Sequence, residues 1–164
     1  MRLGKRGAQF MRLFHIVTAS IWFGSVVCLF AMMCMCFFGM DATAFTTVAP
    51  YVDAVFDWVA LPAALLTVAQ GVVYSIAGWG FVRHRWVLLK WIAVAALVVL
   101  TGEGTISQMS VALEAAKAGG FVGGFTDGAG ALTFTAAQIV VMVAVFALSV
   151  YKPTLRKSKT ATGE

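Results

Sequence analysis

Four polar side chains stand out from the longest apolar runs of this 164-residue sequence: His15, Gln70, Tyr74 and Lys90. Within hydrocarbon such groups are costly, and they turn towards protein, water or a ligand. Gln70 and Tyr74 are four residues apart and share one helix face, as Thr18 does with His15. Together the four would make a polar pocket: an ammonium group to attract an anion, an amide and a phenol to orient it, and an imidazole to donate or accept. Such a pocket suits an anionic lipid headgroup, a quinone carbonyl or a haem propionate. Plainer roles also exist, since Lys90 and His15 can extend to the headgroups and Gln70 can bond a neighbouring helix.

A second group is sulfur. The stretch CLFAMMCMCFFGM, from Cys28 to Met40, holds all three cysteines and half of the eight methionines. Cys28, Met32 and Cys36 form a row at i, i+4 and i+8, and soft ligands suit Cu(I). Metal–sulfur bonds near 2.3 Å require convergence, whereas neighbours in this row are about 6 Å apart along the axis. Cys34 and Cys36 point about 160° apart on a helix, so they form no chelate. Packing by small and pliable apolar side chains is the first reading, with Cu(I) the alternative and sulfur redox pairing a third. The two histidines, His15 and His84, raise bis-histidine haem b, although His84 between Arg83 and Arg85 fits a solvated basic turn.

The elements that position these groups follow from composition. Apolar residues make up 61% and charged residues 12%, and mean hydropathy is +0.91, more apolar surface than one soluble core can hide. Runs of roughly 20 apolar residues cross a bilayer. They lie at about 13–38, 54–79, 86–103 and 132–151, given a rise of about 1.5 Å per residue. The sequence therefore predicts an all-α four-helix transmembrane bundle, with residues 1–164 as one integral membrane domain. The first apolar run is too long for a signal peptide and is read as an uncleaved span. Pro62 removes the amide that would bond the Trp58 carbonyl, which predicts an irregularity there. A flexible glycine-rich outer loop is expected over 104–131, its first half continuing the third helix or lying on the membrane surface and its second half too glycine-rich to hold a helix. Phe121 and Phe125 would then be free to touch lipid or a partner.

Charge orients the bundle. Every Lys and Arg except Lys117 lies before the first span, at the turn Gly80 to Arg85 and just beyond it, or after the last span. Asp41, Asp53, Asp57, Glu103, Glu114 and Asp127 lie on or near the other side. Basic flanks stay cytoplasmic, which puts both termini inside. The basic clusters face anionic lipid, and nothing supports nucleic-acid binding. Trp58, Trp79, Trp86 and Trp91 fit interfacial rings, while Trp22, deep in the first span, is expected to face protein.

Two stretches carry a resemblance. FHIVTASIWFGSVV and LPAALLTVAQGVVYSIAGWGFVRHRWVLLKWIAV resemble a family of uncharacterised bacterial integral membrane proteins with four helices. The likeness covers the first three spans and implies a fold rather than an activity. The His-x6-Trp-x-Gly opening of the first span is also loosely similar to copper-resistance D-type membrane proteins, although the further histidines of a copper path are absent. No nucleotide-binding glycine pattern, metalloprotease motif or serine-nucleophile motif occurs. The expected protein is thus a non-enzymatic, multi-pass component of the bacterial cytoplasmic membrane that holds a small ligand or a partner. Its expected contacts are the lipid bilayer, an anionic lipid or quinone, and another copy or a membrane partner protein. The alternative is a haem b or Cu(I) protein of electron transfer or metal uptake.

Overall fold

The computed structural model describes residues 4–74 and 85–151, and among these it contains four helices and no strand. Helix α1 is Lys5–Gly39. Helix α2 runs through Ala42–Val55, a π-helical turn Phe56–Ala60 and Leu61–Tyr74. Helix α3 is built likewise from Arg85–Val99, a π-helical stretch Leu100–Ile106 and Ser107–Lys117. Helix α4 is Gly124–Tyr151. The expected inner turn with Trp79, Arg83 and His84, and the basic tail after Tyr151, lie outside the described residues.

The apolar parts of the four helices run for 34, 33, 31 and 27 residues, each long and apolar enough to cross a membrane. At about 1.5 Å per residue they reach about 40–50 Å, against about 30 Å of hydrocarbon. Most of their surface faces outward: only 17% of the most apolar window of α3 is buried. Leu13, Ile16, Leu65, Ile92, Val98 and Val140 are all exposed, an arrangement that lipid accepts and water penalises. The chain is built as a multi-pass membrane protein.

Two helix starts differ from the sequence expectation. Helix α2 begins at Ala42 rather than near 54 because Asp41 caps it, its Oδ1 accepting the Ala44 N–H at 2.8 Å. Phe45, Ala49 and Val52 then bury one face of the added turns. The expected glycine-rich loop is largely helical. α3 continues to Lys117, α4 starts at Gly124, and only residues 118–123 join them. Gly119 and Gly123, both at φ 78°, take the left-handed conformation that glycine favours. The Gly120 N–H closes α3 on the Ala115 carbonyl at 2.9 Å. Asp127 Oδ2 accepts the Val122 and Gly123 N–H groups, each at 2.7 Å, just ahead of α4.

Close approach explains why glycines are tolerated inside these helices. A Cβ on Gly128 would come within 2.6 Å of the Phe37 ring, and one on Gly130 would overlap the Gln108 side chain. Gly104, in the π-helical stretch of α3, meets the Phe134 ring in the same way. The packing gained offsets the backbone entropy that makes glycine a poor helix former in isolation. Phe121, expected to be available to lipid, instead stacks on Phe45 with ring centroids 4.4 Å apart. Phe125 stays exposed, its ring edge-on to Phe38 at 5.0 Å.

The irregularity expected at Pro62 is the π turn. The Leu61 N–H donates five residues back to the Phe56 carbonyl, so the extra residue is absorbed just before the proline that has no amide to give. The turn and the matching stretch in α3 divide the bundle into unlike halves. At the far end from the termini, Met33, Phe37, Phe45, Ala49, Met109 and Ala112 belong to one dense cluster. Towards the termini the buried apolar cluster shrinks to Val26, Leu97 and Met142. There Leu61–Tyr74 packs on α1 and Arg85–Val99 packs on α4, but these two segments do not pack closely on each other. That half is hollow.

Candidate functional site

The hollow half holds a cavity of about 500 Å³ walled by all four helices. From α1 come Arg12, His15, Ala19 and Trp22, spaced by three and four residues, so one helical stripe faces the space. Helix α2 contributes Thr67, Val68, Gly71 and Tyr74, and α3 contributes Val87, Lys90, Trp91, Val94 and Leu97 at the same periodicity. Met142, Val145, Phe146 and Ser149 complete the wall from α4. Neighbouring helices run in opposite directions, so low-numbered residues of α1 and α3 lie level with high-numbered residues of α2 and α4. Arg12, His15, Lys90, Tyr74 and Ser149 therefore share the terminal end, while Trp22, Leu97 and Met142 close the deep end. The cavity is polar at one end and apolar at the other.

Three of the four polar residues singled out from sequence meet here. The His15 and Tyr74 rings stand edge to face with centroids 6.1 Å apart, and Lys90 lines the same space. His15 Nδ1 and the Tyr74 hydroxyl are buried without a hydrogen-bond partner among the described residues. Such orphaned groups each cost roughly 1–3 kcal/mol.

Gln70 does not line the cavity. It is buried behind it, where Nε2 donates to Thr18 Oγ1 at 3.2 Å and to the Leu66 carbonyl at 3.0 Å. This bond joins α2 to α1, and Thr18 is itself held by donating to the Phe14 carbonyl at 3.1 Å and the His15 carbonyl at 3.2 Å. Gln70 Oε1 is a third buried atom with no partner among the described residues. Gln70 is therefore a strut beside the site rather than part of its wall.

No protein family, curated protein or solved structure matches the chain. The site is read from its own chemistry.

The sulfur row is spread over the bundle. Cys28 is exposed, Met32 is half-buried, and Cys36 is buried at the far end with Met33 and Phe37. The physical reason is helical drift: each step of four residues turns about 40°, so the two ends of the row face different surroundings. Among the described residues, no group of three His, Cys, Asp or Glu side chains could hold a metal ion. For haem, His15 is in the cavity, whereas His84 lies outside the described residues.

Sequence reasoning passed over much of the wall. Trp91, expected at the interface, also lines the cavity. Gly71, Phe146 and Ser149 carried no signal in an apolar run. Arg12, counted only as an orientation charge, stands with His15, Ala19 and Trp22 at spacings that a helical-stripe test would have picked out. A second network was also missed, at the π-helical stretch of α3: Gln138 Nε2 donates to Thr105 Oγ1 at 2.6 Å, and the Thr101 hydroxyl donates to Gln138 Oε1 at 3.2 Å. It ties α3 to α4 just beyond the deep end of the cavity.

Proposed function

We propose that the protein binds one small amphipathic molecule in this cavity, as a ligand-holding or partner component of the bacterial cytoplasmic membrane rather than as a catalyst. Both termini, and with them the polar end of the cavity, face the cytoplasm, an orientation supported by the placement of Lys and Arg in the sequence. The observation that carries the reading is the gradient along the wall. Arg12, His15, Tyr74 and Lys90 gather at one end, and Trp22, Leu97, Met142 and Phe146 surround the remainder. A few convergent polar groups over an apolar body is the usual build of a small-molecule site, and the volume lies within the common range of about 300–1,000 Å³.

Protein purified from its own membranes in mild detergent should carry an anionic lipid, a quinone or another amphipathic molecule detectable by mass spectrometry of the extract. Lys90→Met should lower its retention about tenfold, as expected when one charge-assisted hydrogen bond is lost. An unchanged ligand profile would leave the polar layer as a purely structural feature.

A haem b protein of electron transfer is the second reading, favoured by the placement of the His15 side chain on the cavity wall. Its signature is a Soret band with stoichiometric iron. The Cu(I) reading rests on the sulfur row that the fold spreads apart, and stoichiometric copper lost in Cys28→Ser would restore it.

A further inference from the structure

The cavity is closed by helix packing on three sides and not on the fourth. Leu61–Tyr74 packs on α1, α1 packs on α4 and Arg85–Val99 packs on α4, whereas Leu61–Tyr74 and Arg85–Val99 do not pack closely on each other among the described residues. Both still line the cavity. Helices in contact hold their axes about 8–10 Å apart, so the wider side between these two is a seam. Its borders are apolar. Leu61, Leu65 and Val68 share one stripe of α2, and Leu88, Trp91 and Ala95 share one of α3. Val68 and Trp91 line the cavity, and the other four are exposed. From Trp58 to Tyr74 and from Trp91 to Gly102 there is no charged residue. The wall thus continues through the seam onto surface that faces lipid, a path open to hydrocarbon and costly for an ion. Depth agrees. From Arg12 to Trp22, both on the wall, α1 rises about 15 Å, and one leaflet supplies half of about 30 Å of hydrocarbon.

We infer that the occupant is one acyl chain of a bilayer lipid, which enters sideways through the seam while its headgroup stays at the level of Arg12. This inference rests on the cavity being the binding site. The surrounding lipid is the apolar chain that the seam meets, and its length matches the depth of the wall. An empty space would forfeit dispersion contacts along Val94, Leu97, Val145 and Phe146, and a flexible chain restores them. Gly71 provides the means to test the occupant and the site separately. It lies on the wall, and a Cβ added there meets nothing within 4 Å, so Gly71→Leu fills the cavity without a backbone clash and improves helix propensity.

The experiment places the full chain in bilayers of phosphatidylcholine that carries bromine atoms midway along one acyl chain, since bromine quenches tryptophan emission on contact. Trp22, on the wall near the deep end, is the reporter once Trp58, Trp79, Trp86 and Trp91 are changed to Phe. Its emission should be lost in brominated lipid relative to the unbrominated lipid, and Gly71→Leu should restore it. The chain with all five tryptophans gives a second reading: released from the same bilayers, it should retain one brominated lipid in native mass spectrometry that Gly71→Leu lacks. Equal quenching with and without Gly71→Leu, and no brominated lipid retained while another adduct is still lost in Gly71→Leu, overturns the acyl chain and leaves the cavity as the site. Equal quenching together with identical adducts overturns the inference and the site together.

Discussion

Gln70 and Thr18 form the one side-chain hydrogen bond among the described residues between α1 and α2, at 3.2 Å and buried behind the cavity. In membrane bundles such a bond contributes about 0.6 kcal/mol on average, because the separated helices also find partners. A double-mutant cycle of Thr18→Val and Gln70→Leu, followed by unfolding in detergent, should therefore give a coupling energy of about 0.5–1 kcal/mol. Independent effects of the two changes would show that the contact does not hold the helices together. Polar residues such as these were legible in the sequence because each is an exception in an apolar run. Gly71, Trp91 and Phe146 were not, because an apolar side chain in a spanning helix has the same sequence signature whether it faces lipid or a cavity. Only the fold distinguishes them.

The glycines divide according to what they face. Gly128 and Gly104 meet aromatic rings, whereas Gly71 opens on empty space. Gly128→Ala and Gly104→Ala should each destabilise the protein by about 1–3 kcal/mol through overpacking, while Gly71→Ala should stabilise it by up to about 1 kcal/mol through helix propensity. Thermal unfolding of the three variants in one detergent checks this order, and equal effects would contradict the close packing at the far end. The start of α4 has its own test. Asp127→Ala removes the acceptor for two backbone N–H groups and should cost about 1–2 kcal/mol, as loss of a helix cap does. Faster amide hydrogen exchange at Val122 and Gly123 should accompany it, and unchanged exchange would contradict the capping role. Four helices were legible from apolar length alone. The helix over 107–117 follows one of the two courses expected for the first half of the outer segment, whereas the helical 124–131 segment was not legible, since propensity charges each glycine its isolated-helix cost and cannot register the ring from another helix that makes a missing Cβ favourable.

Across the whole molecule, a dense far end and a hollow terminal half share one set of continuous helices. The π-helical segments of α2 and α3 lie between them. The far-end cluster draws buried side chains from all four helices, whereas the terminal half encloses the cavity. In the proposed orientation, which rests on the placement of Lys and Arg in the sequence, this hollow end lies in the cytoplasmic leaflet. In a background with Cys28, Cys34 and Cys36 replaced, a cysteine at Lys117 should react with an impermeant thiol reagent from outside intact cells, and one at Arg6 should be protected. The reverse pattern would turn the bundle over. The central claim is occupancy of the cavity, and native mass spectrometry of the full chain released from its own membranes tests it most directly. The wild-type chain should carry one small-molecule adduct that Gly71→Leu lacks; identical adduct patterns in the two proteins would contradict the account.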